Sequence, residues 1–207
     1  MPIIRFMTID AIRELDRRAV LATVDVANRA GPADLSRPTP CAGWTLGDLL
    51  AHMTAQHHGF AASARGEGAD LGAWKVRPPG TVKSYAEAAD AVIAAFAGEG
   101  VAERDFALPE FGPGVAVPAE QAMGFHFIDY VVHGWDVARA LDLPYELDAE
   151  LLEAARPIAL AVPDGDFRLE PGAAFAPALG ATGDPGSLDE ILLALGRSPA
   201  WPRVEGA

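Results

Sequence analysis

The chain has 207 residues, half of them hydrophobic, and a formal net charge of −13. That length suits one domain with a sizeable core, and that hydrophobic content excludes long disordered stretches. The charge argues against nucleic acid and anionic membrane surfaces as partners, and no apolar run approaches the roughly 20 residues of a membrane helix.

The first ten residues, MPIIRFMTID, turn acidic too early for a signal peptide. A single cysteine, Cys41, rules out an internal disulfide framework and suits a reducing cytoplasm. The first helix is expected from about Thr8 to Arg29, where Ile12, Leu15, Ala19, Ala22 and Val26 recur at helical spacing. The loop GPADLSRPTPCAG follows. Thr45 with Asp48 three residues later is a capping-box pattern, and it opens a second helix reaching about Arg65. After a loop from Gly66 to Lys83, Ser84 and Glu87 are read as the start of a third helix, with Tyr85, Ala88, Ala89, Val92 and Phe96 on one face.

A loop containing FGPG ends at Pro118, which is read as the first residue of a fourth helix running to about Leu141. Asp148 caps a fifth, from Ala149 to about Val162, which Pro157 should kink. The proline- and glycine-rich stretch that follows has room for short extended pieces, with any strands expected within about Phe167–Gly186. Ser187 and Glu190 read as a capping box for a short last helix. The pattern is that of an all-α bundle, residues 1–163, with a C-terminal extension, 164–207.

Chemistry concentrates on helix four, GFHFIDYVVHGWDVARAL. Each helical residue advances by about 100°, so Asp129 and His133 stack one turn apart. His126 falls within about 60° of both, on an otherwise apolar stripe where ionisable groups need a partner, a metal or a job. Helix two carries His52 on a face shared with Leu49 and Gln56, while at least one of His57 and His58 should be solvated. A histidine from one helix and a carboxylate–histidine pair from another is how bundles build metal sites with open positions. Asp136, three after His133, is placed to orient its ring. The residues alone leave other readings open: hydrogen-bonded or surface histidines, and a simple helix-stabilising Asp–His pair. Cys41 reads as a small buried residue in a tight loop rather than a nucleophile, and Trp44 and Trp135 read as packing anchors.

The strings PTPCAGWTLGDLLAHM, VVHGWDVARAL and LLALGRSPAW, in that order, resemble the DinB/YfiT-like metalloenzyme superfamily, in the branch related to mycothiol-dependent maleylpyruvate isomerase. The resemblance implies an up-down-down-up four-helix bundle holding a divalent metal, commonly zinc or nickel. It implies His52, Asp129 and His133 as the ligands. The isomerase-type pattern has glutamate at the place of Asp129; the shorter side chain would draw the ion toward helix four, or let His126 supply a nitrogen. His126 is otherwise the spare group for proton transfer. The implied activity joins a low-molecular-weight thiol, mycothiol, to a small electrophile by transfer or isomerisation. A metal-dependent hydrolase and a non-catalytic metal- or ligand-binding bundle are the other classes carried forward. Helix-bundle surfaces also pair readily, which admits a homodimer.

Overall fold

The computed structural model describes residues 7–170, 173–181, 183–184 and 186–202. Residues 1–6, most of the stretch read for a signal peptide, lie outside the described residues, as do positions 171, 172, 182 and 185 in the glycine-rich stretch. Among the described residues the elements are α1 (Ile9–Ala27), α2 (Leu46–Ala64), α3 (Val82–Phe96), β1 (Asp105–Ala107), β2 (Ala116–Pro118), α4 (Ala119–Ala140), α5 (Ala149–Ala161) and α6 (Ser187–Ala194). The protein is all-α apart from that two-stranded ribbon. No described helix is long and apolar enough to cross a membrane.

Local chemistry sets the helix starts. Thr8 caps α1 by accepting from the Ala11 amide at 3.3 Å. In α2 the expected box forms both ways: Thr45 Oγ1 accepts from the Asp48 amide at 3.2 Å, and Asp48 Oδ2 accepts from the Thr45 amide at 3.0 Å. Helix α3 starts three residues before its sequence reading. Thr81 caps it, and Ser84 returns the bond as the third helical residue, so the serine closes the box instead of opening it. Pro118 precedes α4 as its cap. Its fixed φ suits the extended end of β2 as well as a helix entry.

The chain divides into two compact units, Met1–Tyr145 and Glu146–Ala207. In the first, α1 packs on α4 and α3, and α2 packs on α3 and α4, so the four helices enclose one core. Leu46, Leu49, Leu50 and Met53 of α2 meet Tyr85, Val92 and Phe96 of α3 there, with Phe127, Tyr130 and Val131 of α4, all fully buried. Truncating one such side chain, Phe96 to alanine, costs about 3–5 kcal/mol at such a site. Helix α4 is buried on nearly every side, so it is the central helix of the unit. Gly134 is required at its crossing with Tyr145: a Cβ there would lie 2.1 Å from the Tyr145 hydroxyl oxygen and 2.7 Å from Thr23 Oγ1.

The strands are not where the sequence suggested. They flank the FGPG turn, pairing Asp105 with Pro118, Phe106 with Val117 and Ala107 with Ala116. Gly112 and Gly114 hold positive φ values of 126° and 76°, which reverses the chain between them. Three residues per strand are too few for an alternation to stand out in sequence. Within the described part of 167–186 there is a 3₁₀ turn, Asp166–Leu169, and no strand.

In the second unit α5 packs on α6, a grouping that differs from the sequence reading, which placed α5 with the bundle. Helix α5 is capped by Asp148 and continues through the exposed Pro157. Glu190 does not close a box with Ser187. Gly186 is the cap of α6, and the Glu190 carboxylate takes a two-point ion pair from Arg156 at 2.6 and 2.8 Å. The buried Arg168 guanidinium donates to the carbonyls of Val162, Pro163, Ala176 and Ala194, fastening the extended stretch to the end of α6.

Candidate metal centre

The side chains of His52, Asp129 and His133 converge between α2 and α4: one donor atom from each lies within 4.8 Å of the other two. The i, i+4 spacing puts His133 Nε2 3.4 Å from Asp129 Oδ1. The His52 ring meets the His133 ring edge-on, with centroids 5.4 Å apart. Both His52 and Asp129 are half-buried, while His133 is buried, so the cluster opens on one side and is backed by protein on the other. Trp44 is no buried anchor. It is 38% exposed, with its ring 5.0 Å from that of His52, and forms a lip of the site. Trp135 is buried, as expected of a packing residue.

Behind His133, the fully buried Asp136 accepts a hydrogen bond from Nδ1 at 2.9 Å. That bond sets the ring so that Nε2 faces Asp129 and His52. Cys41 is half-buried rather than buried, and its Sγ donates to the same Asp136 oxygen at 3.2 Å. Cys41, His133 and Asp136 thus form a second set of potential donors within 4.8 Å, sharing His133 with the first. Burial alone would lower the His133 imidazole. Asp129, the Asp136 hydrogen bond and Cys41 outweigh it and raise the ring well above its usual range, which favours its protonated form.

His126 stands apart from this cluster. Its Nδ1 lies 2.6 Å from Asp16 Oδ1 on α1, and its Nε2 lies 3.1 Å from His57 Nδ1 on α2, all three side chains being fully buried. Phe60, Phe96 and Tyr130 enclose its ring. Of the neighbouring histidines, His58 is exposed and His57 is buried, stacked on Tyr130 at 4.1 Å. Burial, then His126, push the His57 imidazole well below its usual range, so it stays neutral. Burial raises the Asp16 carboxyl, and His126 opposes that. Asp16 had no signal in the sequence: it sits in RELDRRA among charges that are exposed or half-buried, and only the helix phase separates it from them.

The sequence reading also missed Glu110. The 3₁₀ turn Pro109–Phe111 folds back over the α2–α4 groove, and Gln56 Nε2 donates to Glu110 Oε2 at 3.0 Å. Next to it, Phe111 packs on Phe125 with ring centroids 5.5 Å apart. The Glu110 carboxyl is raised to about 7 by partial burial, although the residue as a whole is exposed; the Gln56 hydrogen bond opposes the rise, Asp129 adds to it and His126 opposes it.

A helical bundle that gathers two imidazoles and a carboxylate from facing helices, open on one side, offers donors of the kind that could hold a metal ion. The comparison with known families makes this particular. Residues 17–138 match the model of the mycothiol maleylpyruvate isomerase N-terminal domain, and the chain belongs to that family. The matched span includes His52, Asp129, His133 and Asp136. Two uncharacterized Mycobacterium tuberculosis proteins, Rv0738 of strain H37Rv and MT0763 of strain CDC 1551, are each 30% identical over 171 residues, covering 79% of this chain and 85% of their own length. Among solved structures, the crystal structure of the mycothiol-dependent maleylpyruvate isomerase aligns with a TM-score of 0.48 at 15% identity, over 75% of this chain and 69% of that one.

Proposed function

We propose that the protein is a divalent-metal-dependent enzyme that uses a low-molecular-weight thiol, mycothiol, to transfer to or isomerise a small electrophile. The observation that carries this reading is the convergence of His52, Asp129 and His133 on the open side of the α2–α4 groove. Family membership supports the choice of thiol. Two nitrogens and one carboxylate oxygen fit zinc or nickel, and three protein donors leave room for an incoming ligand. Such an ion, when bound, supplies a positive charge that stabilises a thiolate at neutral pH.

The chain's own residues do the rest. His52, Asp129 and His133 would hold the ion. Asp136 keeps His133 in the tautomer whose Nε2 is the donor, and its charge makes that nitrogen more basic. Because these partners favour the protonated His133 ring, ion uptake would compete with a proton there, and affinity would fall as pH falls. Trp44 gives the mouth an apolar wall against which a substrate can lie. A cytoplasmic location suits an enzyme that consumes a reduced thiol.

The test is optical. The cobalt-loaded chain is mixed with mycothiol, and a sulfur-to-metal charge-transfer band is expected near the ultraviolet, accompanied by proton release. His52→Ala and His133→Ala should each lose cobalt uptake and the band. No spectral change at saturating thiol, together with thiol-free hydrolysis of an ester, would replace this reading with a metal-dependent hydrolase.

A further inference from the structure

The donor cluster contains no group free to take the proton that a thiol must lose on entering it. His52, Asp129 and His133 are committed to holding the ion, Asp136 to His133 and Cys41, and both ring nitrogens of His126 to Asp16 and His57. The 3₁₀ turn at Pro109–Phe111 supplies one. It is pinned at two points, and each is one helical turn from a donor. Gln56, which holds Glu110, lies four residues after His52 on α2. Phe125, which holds Phe111, lies four residues before Asp129 on α4. Four residues are about 6 Å of helix rise, so the turn is clamped across the same groove about one turn along from the cluster.

Resting on the proposed function above, we propose that Glu110 is the proton-transfer group of this site. Its carboxylate takes the S–H proton of the incoming thiol, the bonding pair stays on sulfur, and the protonated carboxyl then returns the proton to solvent or product. Gln56 positions the carboxyl by donating to one oxygen and leaves the other for the thiol. Glu110 is exposed, which gives the proton a way out to solvent. The ionisable groups that act on it are Asp129 and His126 of α4, while Gln56 of α2 is neutral; a carboxyl titrating near working pH in that setting both accepts and gives up a proton readily.

Two measurements on the full chain test this. The first is a carbon-detected NMR titration of glutamate carboxyls, with the Glu110 signal assigned from Glu110→Gln. Its midpoint should lie at about 7 in the metal-free chain. Saturating zinc should lower it by about one unit or more, because a nearby double positive charge favours the carboxylate. In His52→Ala/His133→Ala the same zinc should leave it where it was. The second is stopped-flow proton release, read with an indicator dye on mixing zinc-loaded chain with mycothiol. Glu110→Gln should bind zinc as the parent does but release the proton about a hundredfold more slowly, with imidazole buffer restoring part of the rate. Zinc uptake with an unmoved Glu110 midpoint, or parent-like proton release from Glu110→Gln, overturns the assignment and leaves the metal site standing. Absence of zinc uptake overturns both.

Discussion

Replacing Asp136 tests whether the carboxylate behind His133 tunes the metal site, and the result should depend on pH in a specific way. In Asp136→Asn the amide oxygen can still accept from His133 Nδ1, so the ring stays in place but loses its charged partner. In Asp136→Ala the 2.9 Å bond is lost altogether. Outer partners of ligating histidines are worth roughly 10–100-fold in metal affinity, or about 1.4–2.7 kcal/mol. We expect the asparagine variant near the lower end and the alanine variant near the upper end. Those full deficits should appear only at alkaline pH, where no proton competes for His133. At lower pH the parent ring carries a proton that the metal must expel, held by Asp129, Asp136 and Cys41 against burial. Removing the Asp136 charge loosens that proton and returns part of the loss. Zinc affinities measured by chelator competition at about pH 6.5 and 8.5 should therefore show a smaller deficit at the lower value. Equal affinity for parent and Asp136→Ala at the higher pH, or a deficit that ignores pH, would refute the reasoning.

Gly134→Ala places a methyl 2.1 Å from the Tyr145 hydroxyl, so it should cost about 1–3 kcal/mol in chemical denaturation and weaken zinc binding through the adjacent His133; parent-like values for both would contradict the packing described. His126→Ala leaves the Asp16 carboxylate buried and unpaired, predicting a loss of about 3–5 kcal/mol, part of it recovered in Asp16→Asn/His126→Ala, with zinc uptake changed at most a few-fold; failure to bind zinc in a folded variant would put His126 among the ligands after all. Arg168→Met strands four carbonyls, each worth about 1 kcal/mol or more, so amide exchange should speed up at Leu193–Gly196 far more than in α1–α4; uniform exchange would show that Arg168 does not fasten that segment. Cys41→Ser keeps a donor to Asp136 and should hold metal content within a few-fold; loss of the metal from a folded variant would make Cys41 a ligand.

The sequence by itself determined the helices and the Asp129–His133 half of the candidate site. Capping boxes and apolar periodicity are local properties, which is why α2 was legible almost to the residue from Thr45 and Asp48. The Asp129–His133 pair was legible for the same reason, since an i, i+4 spacing brings two side chains together on any helix. Spacing offered His52 as their partner but left it one reading among several, because nothing local says which faces of two helices meet; the resemblance singled it out. Tertiary structure alone decided the rest. It placed Glu190 on Arg156 rather than on the cap of its own helix, and buried Asp16 fully while its charged neighbours stayed at least partly exposed. It showed why Gly134 follows His133, through the arrival of Tyr145, and it folded the Pro109–Phe111 turn onto Gln56 and Phe125. His126 shows the division most clearly. Its helical phase pointed toward the metal ligands, but its chemistry was set by Asp16 and His57, which are 110 and 69 residues away in sequence. Phase fixes a direction around one helix axis; which donor, ring or carboxylate fills the space in that direction is settled only when the other helices pack.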